Sequence, residues 1–159
     1  MPHLVILYTP NLEPKTDMTA LCRTLADTML KQRDEAGQPV FPTGGTRVLA
    51  YPAAHYAVAD GKRDYAFVYL NLRMAVGRSE QVKKTAGEAL LAKTKAHFDP
   101  IFPDNYLGIT LQLDEGAQAF DGKHSNIHPL FQEKTPGRSQ VFSHPLGGPG
   151  EARAGGTQD

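Results

Sequence analysis

Two successive runs of strand, helix and strand govern what this chain can fold into. Residues 3–8 (HLVILY) form a short apolar, β-rich run that Pro10 and Pro14 close. Over 17–33, Met18, Leu21, Cys22, Leu25 and Met29 recur at helical spacing, with Thr16 or Asp17 available as the N-cap. A turn-rich link through Gly37, Pro39, Pro42, Gly44 and Gly45 leads to a modest strand, Arg47-Val48-Leu49-Ala50-Tyr51. The order then repeats. Asp60-Gly61 turns the chain into a stronger strand over 65–73 (YAFVYLNLR). Ser79 is placed to cap a helix over about 80–98, whose apolar face is Val82, Ala86, Ala89, Leu90 and Phe98, and Pro100 ends it. Residues 106–113 (YLGITLQL) alternate, with Leu107, Ile109, Leu111 and Leu113 on one side.

Parallel strands joined through helices place both helices on one face of a four-stranded sheet. The fold class expected is α+β, a β-α-β repeat pair occupying one domain over residues 1–131. The other sheet face would stay uncovered, and a closed homo-oligomer is the usual remedy. Segment 124–131 (HSNIHPLF) reads as a C-terminal arm packed on its own or a neighbouring subunit. Residues 132–159 differ in kind. They hold Gly137, Gly147, Gly148, Gly150, Gly155 and Gly156 with Pro136, Pro145 and Pro149, while Val141, Phe142 and Leu146 are too few to build a core. This stretch reads as a disordered, solvated tail.

Seventeen Lys and Arg against 17 Asp and Glu leave no net charge, which argues against a nucleic-acid or anionic-membrane partner. No apolar run approaches the ~18 residues of a membrane span. The start, Met1-Pro2-His3-Leu4-Val5, lacks the cationic flank of a secretory signal. A single cysteine, Cys22, cannot form an internal disulfide, so the expected compartment is the reducing cytoplasm. Its place in the helical apolar stripe makes it a small buried hydrophobe rather than a reactive thiol.

Three residues stand out chemically. Pro2 follows an initiator Met that aminopeptidases remove before small residues, and removal would expose a secondary amine at the start of a buried strand. An α-amino group titrates near 7.7–8.0, roughly, and desolvation or nearby cations lower it further. Such a group can take and return a proton near neutral pH. Arg78 stands between Gly77 and the N-cap Ser79, where free backbone N–H groups and the helix dipole favour anions and a guanidinium can grip a carboxylate bidentately. Arg47 follows the Gly44-Gly45 pair at the entry to a strand. Its position alone also fits a solvated surface arginine. The six histidines offer little for a metal: His124 and His128 have i, i+4 spacing, but Pro129 and the loop composition speak against a helix there. No nucleophile elbow, phosphate-binding glycine loop or C-x-x-C occurs.

Taken in order, these residues resemble a known family. Pro2-His3, Phe41-Pro42, Gly45-x-Arg47, Ala59-Asp60-Gly61, Asp64-Tyr65-Ala66-Phe67-Val68, Gly77-Arg78-Ser79, Ala86-Gly87-Glu88, His97-Phe98 and Asn126-x-His128-x-Leu130-Phe131 resemble the 5-carboxymethyl-2-hydroxymuconate Δ-isomerases of the tautomerase superfamily. The likeness runs from residue 2 to about 131, is loose over 9–40 and leaves out the tail. The resemblance implies a β-α-β repeat pair assembled as a homotrimer, with Pro2 as the acid–base catalyst once Met1 is lost. It implies Arg47 and Arg78 as substrate-binding residues, a small polycarboxylate substrate and no cofactor. The implied reaction, in homoprotocatechuate catabolism, moves a double bond in an unsaturated 2-hydroxy acid to give its 2-oxo isomer. Two alternatives stay open: a superfamily enzyme acting on a different 2-oxo or 2-hydroxy acid, and a non-catalytic trimeric binding protein on the same fold.

Overall fold

Leu4, Ile6 and Tyr8 are buried along one side of strand β1 (His3–Tyr8), while His3 and Leu7 on the other side are exposed. The computed structural model that shows this describes residues 2–132. Helix α1 (Met18–Leu30) starts where the Asp17 carboxylate accepts from the Ala20 N–H at 3.0 Å. It stops short of the residue 33 expected from the sequence. The Asp34 carboxylate instead accepts from the Ala36 and Gln38 N–H groups, Gly37 takes φ +75°, and Val40 N–H returns to the Gln32 carbonyl. The chain reverses there before helix could continue.

A 3₁₀ turn (Thr43–Gly45) leads into β2 (Arg47–Pro52), and β3 follows at Tyr65–Met74. Helix α2 (Glu80–Phe98) is capped by Ser79, whose Oγ accepts from Val82 N–H at 3.2 Å and donates to Glu35. Strand β4 is Tyr106–Glu115. The sheet order is β2-β1-β3-β4. β1 runs parallel to β2, with His3 opposite Arg47, and antiparallel to β3, with His3 opposite Arg73. β3 is parallel to β4, Tyr65 facing Tyr106. The two β-α-β halves expected from the sequence thus meet at one antiparallel seam.

Both helices cover one face. Leu21, Leu25 and Met29 of α1 and Leu90 and Phe98 of α2 are fully buried with Leu4, Ile6, Leu70 and Leu72 of the sheet. Each such side chain removed from water contributes ~1.5–3 kcal/mol. Cys22 is half-buried against this core, and burial raises its thiol pKa. The opposite face stays open: Leu7, Leu49 and Tyr51 are 44, 46 and 50% exposed.

The C-terminal arm ends in a 3₁₀ turn (His128–Phe131) that lies on the Thr43–Gly45 turn of its own chain. His124 remains outside that turn. Gly44 permits the contact: a Cβ there would stand 2.5 Å from His128 Cα. The expected tail, residues 132–159, lies outside the described residues from 133 onward.

Candidate active site

The sheet register brings the chemistry to one end. Because β1 is central, Pro2 at its foot has the lead-in to parallel β2 on one side and the exit of antiparallel β3 on the other. These segments enclose a cavity of about 330 Å³. Pro2 comes from the foot of β1, Pro42 from the β2 lead-in, Met74 and Ala75 from the end of β3, and Arg78 from the turn into α2. The arm closes it with Lys123, Ser125, His128 and Pro129. Pro2 is buried in this wall.

Arg78 is held by its surroundings. Gly77 adopts φ +117°, a conformation that L side chains rarely take, and so turns the chain sharply between β3 and α2. The half-buried guanidinium donates to the Val40 carbonyl at 2.8 Å and to the Ala75 carbonyl at 3.3 Å. Two bonds to backbone fix its plane while leaving other N–H donors of the guanidinium for a ligand.

Arg47 is placed differently. It donates to the Gly45 carbonyl at 3.0 Å and lines a neighbouring cleft of about 350 Å³ with His124, Asn126 and Ile127. Ser125 lines both spaces. The structure therefore brings Pro2 and Arg78 into one cavity and sets Arg47 next door, across the Ser125 loop. Beside it, His3 has its imidazole pKa lowered, first by burial and then by neighbouring positive charge that includes the Arg47 guanidinium.

Nothing in the sequence singles out Lys123 or Ser125, and His128 stands out there only by its spacing from His124 and as part of the family signature. Lys123 is paired with Asp121 at 2.6 Å, and this contact holds the Asp121 carboxyl below its ordinary range. Ser125 Oγ accepts from the Ile127 and His128 N–H groups at 3.1 and 3.4 Å, shaping the loop that carries His128 inward. Among the described residues, no group of three His, Cys, Asp or Glu side chains could hold a metal ion. What the cavity offers is cationic and hydrogen-bond-donating: an arginine fork, a lysine and an imidazole around a buried proline. That set suits a small anion bearing carboxylates.

Comparison with known proteins identifies the family. The sequence pattern of the 5-carboxymethyl-2-hydroxymuconate isomerase family matches residues 2–131. The chain is 28% identical over 132 residues to the Escherichia coli 5-carboxymethyl-2-hydroxymuconate Delta-isomerase, covering 83% of this chain and all of that one. It is similar to a solved 5-carboxymethyl-2-hydroxymuconate delta-isomerase at 52% identity and a TM-score of 0.81, over 85% of this chain and 95% of the other. A 5-carboxymethyl-2-hydroxymuconate isomerase from Deinococcus radiodurans R1 matches at 37% identity and a TM-score of 0.72, over 83% and 95% of the two chains. In fold alone, the chain also matches a fused 4-OT solved as a symmetric trimer, at 16% identity and a TM-score of 0.53, over 80% and 98%.

Proposed function

The chain belongs to the 5-carboxymethyl-2-hydroxymuconate isomerase family, and we propose that Pro2, exposed as the amino terminus by loss of Met1, carries the proton in its reaction. It is an isomerase of the tautomerase type. The observation that carries the catalytic reading is the burial of Pro2 in the same cavity as Arg78.

Neutral Pro2 nitrogen takes the proton of the substrate's 2-hydroxyl group. The O–H electron pair becomes the 2-oxo C=O, and the conjugated double bonds shift by one position. The protonated amine then returns the same proton to the far carbon of the former diene, so the amine ends as it began and no net charge is created. Arg78 faces the negative charge that develops on the 2-oxygen and adjoining carboxylate, in a site where water is partly excluded. Burial and the Arg78 guanidinium disfavour a further positive charge, which keeps the amine available as a base, while Lys123 is neutralised by Asp121, whose carboxylate opposes them. Arg47, one cleft away, receives a more distant carboxylate of a polycarboxylate substrate.

We further infer a homotrimer acting in the cytoplasm, in homoprotocatechuate catabolism. The uncovered sheet face with Leu7, Leu49 and Tyr51 supports association, and the single cysteine suits a reducing compartment. Among the described residues, no helix is long and apolar enough to cross a membrane.

Intact mass and turnover test the proposal together. The chain should lack Met1, and Pro2→Ala should lower kcat by ~10²–10⁴-fold with the fold intact. A chain that retains Met1 and still turns over 5-carboxymethyl-2-hydroxymuconate would overturn the role of Pro2.

A further inference from the structure

Neither ring nitrogen of His128 makes a hydrogen bond among the described residues, and the two are in different surroundings. Nδ1 is buried and without a partner. It lies against the Thr43–Gly45 turn, 3.1 Å from where a Cβ on Gly44 would be. Nε2 is not closed off in this way, and the residue lines the cavity that holds Pro2 and Arg78. The ring's backbone is fixed from below by Ser125 Oγ, so the imidazole is presented rather than free to wander.

We propose that His128 is a substrate-binding residue of this cavity, donating from Nε2–H to a carboxylate oxygen of the bound substrate; this rests on the reading of the cavity as the anion-binding active site. The tautomer follows from the enclosure. A proton on Nδ1 would be a buried donor with no acceptor, and it would leave the Nε2 lone pair facing an anion. A proton on Nε2 turns a donor toward the anion and leaves Nδ1 a bare acceptor instead of an orphaned buried N–H. The imidazole then complements Arg78: the guanidinium supplies charge, and the ring supplies a directional donor from the arm side of the cavity. Gly44 acquires a reason in the same stroke. Its missing Cβ lets the arm approach closely enough for the ring to reach the cavity wall.

The probe is 2-oxoadipate, which carries a 2-oxo acid and a second carboxylate but no conjugated double bond to move. Its binding is measured by calorimetry to the wild type, His128→Leu, His128→Gln and Arg78→Ala. We expect His128→Leu to weaken binding about ten-fold, and His128→Gln, whose amide can donate from a similar place, to recover most of it. In turnover, His128→Leu should raise KM more than it lowers kcat. On the unmutated protein, the ring ¹⁵N spectrum in the presence of 2-oxoadipate should show the proton on Nε2, which keeps the test independent of whether a variant folds. Weakening by Arg78→Ala but not by His128→Leu would overturn the role of His128 alone. No weakening by either would overturn the anion-binding reading of the cavity. A ligand-bound ring protonated on Nδ1 would also overturn the proposal.

Discussion

The guanidinium of Arg78 donates to the Val40 carbonyl at 2.8 Å, tying the turn before α2 to the chain that leads into β2. The two residues belong to different halves of the β-α-β pair. The bond therefore orients the arginine before any ligand arrives, and less freedom remains to be lost on binding.

Arg78→Ala should lower kcat/KM by ~10²–10³-fold, because charge and orientation go together. Arg78→Lys keeps the charge but not the planar fork, and should recover only part of the loss. Steady-state kinetics on both variants check this. Wild-type kcat/KM in the lysine variant would show that a point charge is enough.

Arg47→Ala should act differently, since Arg47 lines the neighbouring cleft rather than the cavity of Pro2. A rise in KM of about ten-fold with kcat nearly kept is the expected result for one lost contact to a charged group. A kcat loss as large as that of Arg78→Ala would place Arg47 at the reacting end of the substrate instead.

Gly77→Ala meets open space at the added Cβ, so its cost is backbone strain at φ +117° rather than a clash. The expected loss of stability is ~1–3 kcal/mol by urea unfolding. Activity should fall further than that figure explains, because relief of the strain moves the neighbouring Arg78. Unchanged kinetics would separate the turn from the positioning of the arginine.

His97 gives a pH dependence outside the cavity. Its Nε2 is 2.7 Å from Thr16 Oγ1, and its pKa is lowered by burial, with Asp17 opposing. A lowered folded-state value means that the fold favours the neutral ring. That stability is complete above the ordinary imidazole value of ~6.5 and is lost as pH falls through the lower folded value. Unfolding midpoints should therefore drop between pH 7.5 and acidic pH in the wild type, and drop less in His97→Gln. Equal slopes would remove His97 as the source.

Leu49→Asp tests the open sheet face. Placing a carboxylate on that apolar surface should convert the proposed trimer to monomer in sedimentation velocity, with the individual subunit still folded. A trimer that survives the substitution would mean that this face is not the interface.

Much of this architecture could be read from the residues. The run 3–8 is apolar and β-rich, 106–113 alternates, and Ser79 and Asp17 cap the helices as their chemistry allows. Arg78 was legible because glycine, arginine and an N-capping serine stand together at a strand-to-helix turn. His128 was not legible as a cavity residue. It reaches the site through a contact with Gly44, far away in sequence, and neither residue belongs to a periodic element that would mark the meeting. Gly44 itself reads as one more turn glycine until its neighbour is seen. Arg47 shows another limit: the sequence locates the start of a strand, but which of two adjoining spaces the side chain lines depends on the Ser125 loop.

The burial of Pro2 at the foot of the central strand has a practical side for anyone handling the protein. An affinity tag, fusion partner or leftover cleavage residue attached ahead of Pro2 would have to begin inside the cavity, plugging it and converting the secondary amine to an amide. On the role proposed for Pro2, such a preparation would keep its fold while losing turnover. Labels and fusions belong at the other end of the chain.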